Sequence, residues 1–208
     1  MVAPSSISSK TDYHPAFTLQ LRPAIELTDE QFIEICQLNR DLRFERTSGG
    51  ELEIMSPVFS KTGAINFRLA LFIGNWAIKD ETGVAFDSST GFKLPNHAIR
   101  SPDVSWIRKD RLAQLTPAQK QKFWQICPDF VIELRSSSDS LRKLQNKMKE
   151  YIKNGAQLGW LIDPEERQVF VYRPSQTAEH LKNPTTLSGE PLLPGFALDL
   201  KDVWESDF

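Results

Sequence analysis

The sequence predicts an α/β (α+β) fold, a mixed central sheet flanked by helices, on three observations. Apolar residues recur at helical spacing in three separate stretches. Short runs that alternate, or are apolar throughout, lie between them and are bounded by turn residues. The resulting order, helix–hairpin–helix–strands–helix–strands, is that of a layered mixed-sheet domain. The chain has 208 residues, 40% of them apolar, with five Trp and 13 Phe, which is enough to fill one core.

Residues 1–25 carry Pro4, Pro15 and Pro23 among Ser and Thr and are expected to form an N-terminal extension, loose or added at a sheet edge, with one domain over residues 26–208. Thr28-Asp-Glu-Gln31 is a capping-box pattern and opens a helix over residues 29–40. Residues 43–47 and 51–55 alternate across Ser48-Gly-Gly50 and read as the arms of a hairpin, stopped at Ser56-Pro57. Ile65, Leu69, Phe72, Ile73 and Trp76 give a buried helix over residues 63–79. Strands follow at residues 84–87, 91–94 and 103–107. Residues 108–122 are polar, with Pro117 opening a short helix. Residues 130–135 form the clearest strand. A cluster of cap formers, Ser136 to Asp139, leads into a helix over residues 140–154, which Gly155 can end in a left-handed cap. Residues 158–163 and 168–173 are strands around a turn, and the tail holds short strands near Pro184, Pro191 and Pro194.

Charge and cysteine usage exclude several classes. Twenty-five basic and 27 acidic side chains give a net charge of −2, which rules out a wholly basic nucleic-acid binder and leaves room for a local basic patch. Cys36 and Cys127 match neither a zinc knuckle nor a disulfide framework, so a cytoplasmic location is expected. The longest apolar run, residues 69–78, is interrupted by Gly74 and Asn75 and falls short of the roughly 20 residues that span a bilayer, so no membrane is expected. Residues 1–11 show no apolar signal region.

Three stretches carry candidate chemistry. In Ser101-Pro-Asp-Val104, Pro102 cannot donate to a ladder, so the strand starts after it and Asp103 sits at its mouth. In residues 130–135, Phe130, Ile132 and Leu134 share one face of the strand, and Val131, Glu133 and Arg135 the other. A carboxylate in such apolar surroundings costs several kcal/mol to bury unless it is paired or bound to a cation. In the third helix Leu141, Leu144, Met148, Tyr151 and Ile152 make the apolar stripe. Lys147 lies about 90° and Lys149 about 110° from its middle, so the wheel leaves the choice of an inward lysine open. Two carboxylates at adjacent strand ends and a lysine are the parts of a phosphodiester-hydrolysing site. Hard oxygens hold Mg²⁺, the ion activates water, and the lysine orients that water or stabilises charge on phosphorus.

Pro102-Asp103 followed by Glu133 on a strand about thirty residues later resembles the PD-(D/E)XK nuclease superfamily. More specifically, five blocks in order resemble the Uma-two family of restriction-endonuclease-like proteins: Gly50-Glu-Leu-Glu-Ile-Met-Ser-Pro57, Ser101-Pro-Asp-Val104, Pro128 through Asp139, Lys147-Met-Lys-Glu-Tyr151 and Gly159-Trp-Leu-Ile-Asp-Pro164. The resemblance spans residues 28–173. It implies a restriction-endonuclease-like mixed central sheet flanked by helices, and a Mg²⁺ site, with Mn²⁺ as an alternative ion, held by Asp103 and Glu133. The superfamily signature has Lys two residues after the Glu, where this chain has Arg135, which cannot act as a base. In the Uma-two pattern that lysine corresponds to Lys147. Ser137 stands where the family usually has Pro. Glu51 matches a family Glu after Gly and is an auxiliary candidate, as an extra ligand or as the group that holds Lys147; Arg135 is the other auxiliary candidate.

Each residue also has a plain structural reading. Asp103 could be a cap, Lys147 a solvated helix lysine, and Glu133 a salt-bridge partner of Arg135 or Lys147. Asp129, in a second Pro-Asp pair, is read as structural. Glu51 and Glu53 are taken to alternate on a hairpin arm, with Glu53 solvated. His14, His97 and His180 have no metal partner at ligand spacing, and Trp106, Trp124 and Trp160 read as core. No nucleophile elbow or phosphate-cradling glycine loop is present. Six basic residues against two acidic ones over residues 135–153, and five more basic residues over 108–122, suit a phosphate backbone.

The expectation is a cytoplasmic Mg²⁺-dependent endonuclease with nucleic acid, DNA in particular, as partner. By analogy of architecture it acts as a homodimer. The alternative is a nuclease-fold binding or regulatory module with weak or lost catalysis. A weaker third reading is a phosphodiesterase acting on RNA or a small nucleotide.

Overall fold

The computed structural model describes residues 16–205. Residues 1–15, with His14 and most of the expected extension, lie outside the described residues.

The chain runs β1 (Ala16–Leu19), α1 (Asp29–Leu38), β2 (Arg43–Arg46), β3 (Leu52–Met55), α2 (Ser60–Asp80), β4 (Gly83–Asp87), β5 (Phe92–Lys93), β6 (Ile99–Arg100), β7 (Val104–Arg108) and α3 (Lys109–Leu112). It continues with β8 (Phe130–Leu134), α4 (Leu141–Lys153), β9 (Leu158–Asp163), β10 (Gln168–Tyr172), β11 (Glu179–Lys182), β12 (Thr186–Ser188), β13 (Ala197–Asp199) and α5 (Lys201–Trp204). The expected mixed sheet is present: six strands in the order β11-β10-β9-β8-β7-β4, antiparallel except for the parallel pair β8–β9. The crossover that joins those two parallel strands is α4, as a parallel pair requires.

The central sheet is covered on both faces. Phe130, Ile132 and Leu134 pack with Ile65, Leu69 and Ile73 of α2, and with Leu187, Phe196 and Leu198 of the C-terminal hairpin. Val131 packs on the opposite face with Met148 and Tyr151 of α4. The period-two reading of β8 therefore holds, and it directs Glu133 toward α4. Gly159 on β9 admits that helix closely, since a Cβ there would come 2.5 Å from Met148 Cε. Ser140 caps α4 by accepting from the Lys143 amide, and Gly155 follows its end at φ +117°.

A second sheet, β1-β3-β2-β6-β5, packs one face on α1 through Phe32, Leu52 and Ile99. The capping box of α1 forms in full: Thr28 Oγ1 accepts from the Gln31 amide and Gln31 Oε1 from the Thr28 amide. β1 pairs with β3 at this sheet's edge. The other face carries Glu45 and Glu53, opposite one another across β2 and β3. Three short elements, β6, α3 and α5, escape the sequence reading because none is long enough to show a period. Among the described residues no helix is long and apolar enough to cross a membrane, and Cys36 and Cys127 are free thiols.

Candidate active site

β7 and β8 are antiparallel neighbours, so the residue entering β7 meets the end of β8. Asp103, half-buried, accepts a hydrogen bond from the Leu134 amide on Oδ2 at 2.8 Å and one from Asn66 Nδ2 of α2 on Oδ1 at 3.2 Å. Its carboxylate is thereby pinned beside Glu133. Asn66 Oδ1 is buried and has no partner among the described residues. Glu133, 4% exposed, accepts from Tyr151 Oη at 3.0 Å and pairs with Lys147 Nζ at 3.0 Å. Lys147 also donates to Glu45 Oε1 at 2.9 Å. Of the two lysines that the helical wheel left open, Lys147 faces inward and Lys149 is exposed.

Behind Glu45 the network continues. Arg100 donates to Glu45 at 3.0 Å, to Glu53 at 2.6 Å and, through Nε, to Glu150 at 2.7 Å, and the Ser101 amide donates to Glu45 Oε1 at 2.8 Å. This explains how β2 and β3 tolerate two glutamates directly opposite each other, a pairing that is unfavourable without a counter-charge.

The electrostatics follow from five carboxylates (Asp103, Glu45, Glu53, Glu133, Glu150) sharing two cations (Arg100, Lys147). Burial pushes Glu133 up to about 8, and the charges of Asp103 and Glu45 add to the push against the pull of Lys147. Burial likewise raises Asp103, although the Leu134 amide and Lys147 oppose it. Burial would raise Glu45 too, but Lys147 and Arg100 outweigh it and hold this carboxyl below its usual range. Burial works against the Lys147 ammonium, and Glu133 and Glu45 overcome that effect. Lys147 keeps its proton in either state of Glu133, because Glu45 stays ionised beside it.

Two auxiliary expectations are corrected. Glu51 does not meet Lys147: it precedes β3 at the turn, where Gly50 has φ +87°, and accepts from Gln20 Nε2 at 2.7 Å. Glu45 on the opposite arm takes that place, and Glu53, expected in solvent, is bound to Arg100. Residues two apart in a strand share a face, so the alternation argument could not separate Glu51 from Glu53. The turn does so, by leaving Glu51 outside the ladder. Arg135 also leaves the site, donating to the buried Asp163 at 2.6 Å and to the Asp139 carbonyl at 3.2 Å.

The sequence reading missed Glu45, Arg100 and Asn66. A signal for the first was present, because the hairpin register implied by Ser48-Gly-Gly50 sets Glu45 against Glu53 and so demands a cation nearby. Asp129 is structural, as expected: it accepts from the Arg108 amide at 3.0 Å and pairs with Arg111 at 2.8 Å. Trp106 and Trp160 lie in the core, and His180 stacks on Phe170 away from the site.

Comparison with known proteins agrees with this architecture. The family Uma2, described as “Putative restriction endonuclease”, matches residues 29–201. A crystal structure of a protein described as a “putative nuclease belonging to DUF820”, from Anabaena variabilis ATCC 29413, superposes with a TM-score of 0.72 at 25% identity, covering 86% of this chain and 98% of that one. No curated protein matches.

Proposed function

The chain belongs to the Uma2 family, and from that premise we propose that it is a divalent-metal-dependent endonuclease that hydrolyses phosphodiester bonds of DNA. One observation carries the proposal: the Asp103 and Glu133 carboxylates converge at adjacent strand ends beside the Lys147 ammonium.

The residues fit a Mg²⁺ or Mn²⁺ ion. Asp103 and Glu133 offer hard oxygens, ionisation of both is opposed by burial, and the buried Asn66 Oδ1 beside Asp103 has no partner among the described residues. No group of three His, Cys, Asp or Glu side chains is set for a metal among the described residues. An ion here would therefore rest on two carboxylates, with waters and substrate phosphate as its further ligands. When bound, such an ion polarises a phosphoryl oxygen and acidifies water.

The remaining roles belong to the chain's own groups. Lys147, kept protonated, donates to the attacking water or to a phosphoryl oxygen and stabilises charge that develops on the phosphoryl group; it is not a base in this state. Tyr151 fixes the Glu133 carboxylate, and Arg100 fixes Glu45, which in turn aims Lys147. Arg142, Lys143, Lys149 and Lys153 are exposed on α4 and supply cations for a phosphate backbone. A reducing, cytoplasmic setting and a homodimer complete the proposal.

Plasmid nicking in Mg²⁺ or Mn²⁺, lost with EDTA and with Lys147→Ala but kept with Lys149→Ala, is the expected result. Nicking that survives Asp103→Ala would overturn the site. One observation favours a second reading, a binding or regulatory module: Arg135, at the signature lysine position, is committed to Asp163. Metal binding by calorimetry with no turnover on any DNA would favour it.

A further inference from the structure

Arg173, half-buried just after β10, has no hydrogen-bond or ion-pair partner for its guanidinium among the described residues. Every other buried or half-buried Lys and Arg there has one. Arg46 and Lys93 pair with Asp29, Arg111 with Asp129 and Arg135 with Asp163, Arg68 donates to the Asp202 carbonyl, and Arg100 and Lys147 belong to the active-site network. A cation partly withdrawn from water without a counter-charge is costly, so this exception calls for an anion from outside the chain. We propose that Arg173 anchors the phosphate group of a small ligand in the groove that this residue lines.

The groove lies where β7 and β10 end and β8 and β9 begin, at the opposite end of the sheet from Asp103 and Glu133. Asp129 in its lining is four residues before Glu133, about 13 Å along an extended strand. The groove measures 770 Å³, within the range of small-molecule sites. Arg111 lines it beside Arg173. Arg111 commits only Nη1 to the chain, toward Asp129 at 2.8 Å and the Cys127 carbonyl at 3.0 Å, which leaves Nε and Nη2 for a ligand. A third arginine of the lining, Arg108, is already held by Asp110 through Nε and Nη2. The carboxylates of the lining are engaged too: Asp129 accepts from the Arg108 amide and pairs with Arg111, and Glu190 accepts from the Gly195 amide at 2.8 Å. Arg173 and the free side of Arg111 are therefore the cationic donors that remain.

The chemistry of the lining selects the ligand. Guanidinium forks match the paired oxygens of a phosphate, and arginine keeps its charge at any physiological pH. Gly155 in the lining has φ +117°, and a Cβ there would meet nothing within 4 Å, so the groove is open on that side. Pro174, Pro191 and Leu192 give an apolar wall for the rest of the ligand. A duplex backbone meets basic groups that stand out in solvent, as those of α4 do, whereas Arg173 is recessed. The groove shares no residue with the candidate active site, and its ligand does not depend on the nuclease reading.

Calorimetry on the full chain tests the groove, with AMP, adenosine and inorganic phosphate as probes in a metal-free buffer that lacks phosphate and sulfate. Without a metal the Asp103 and Glu133 carboxylates do not attract an anion, so binding there does not confuse the result. The expected outcome is one-to-one binding of AMP, none of adenosine, and AMP affinity weakened about tenfold or more in Arg173→Ala. That substitution removes no polar contact from the free protein, so the thermal midpoint should be kept. Glu190→Gln, which can still accept from Gly195, takes a negative charge from the groove and should tighten AMP binding. Inorganic phosphate binding as tightly as AMP would support the anchor and identify free phosphate as its source. A wild type that takes up neither AMP nor phosphate at millimolar concentration would overturn the proposal, and so would equal AMP affinity in Arg173→Ala. Duplex binding that Arg173→Ala weakens, with no AMP binding, would also overturn it and assign the groove to a nucleic-acid backbone.

Discussion

Lys147 donates to Glu45 Oε1 at 2.9 Å, joining α4 to the β2–β3 hairpin across 102 residues of chain. Both side chains are nearly enclosed, at 12% and 3% exposure. The bond therefore sets where the ammonium stands relative to Glu133 as well as tying two layers together.

Removing Glu45 leaves Lys147 and Arg100 each short of a buried counter-charge. Glu45→Ala is expected to cost about 3–5 kcal/mol in urea unfolding, the usual penalty for breaking a buried pair. In a double-mutant cycle, Glu45→Ala on a Lys147→Met background should cost measurably less. Strict additivity would show that the pair is not coupled.

Glu133 makes stability fall with pH. Its carboxyl titrates near 4.5 when unperturbed and at about 8 in the folded chain, so across that interval the native state holds more of this proton than the unfolded state does. The contribution is full below the ordinary carboxylate range and is lost as pH rises through about 8. Urea midpoints at pH 5 and pH 8.5 should differ less in Glu133→Gln than in the wild type; an identical difference in both would refute the assignment.

Asp103 and Asn66 should separate ion binding from folding. Asp103→Asn is expected to abolish Mn²⁺ binding in calorimetry while the thermal midpoint changes little. Asn66→Ala should weaken binding about tenfold, the low end for losing a group that orients a ligand. Unchanged Mn²⁺ affinity in Asn66→Ala would make the Asn66–Asp103 bond merely structural.

Arg135 is expected to affect stability and not chemistry. Arg135→Ala leaves Asp163 buried without its cation, costing about 1–3 kcal/mol, while the nicking rate per folded molecule stays at the wild-type level. Arg135→Lys should not rescue Lys147→Ala. If it did, the position two residues after Glu133 would reach the site after all.

The sequence by itself determined most of the elements and part of the candidate site. The capping box at Thr28, the turn at Ser48-Gly-Gly50, the period of α2 and the alternation of β8 are local patterns, and each acts through bonds or faces a few residues apart. Asp103 and Glu133 were legible because Pro102 marks where a strand begins and because an apolar strand makes a lone Glu costly. The tertiary structure alone decided the rest. It put Glu45 where Glu51 was expected, gave Arg135 to Asp163, and turned inward Lys147, which the family pattern pointed to and the helical wheel left open. Those choices depend on how the two sheets and α4 meet, which brings together residues roughly a hundred positions apart and buries them. Burial changes the energetics of every charge there, and no local pattern in the chain records it.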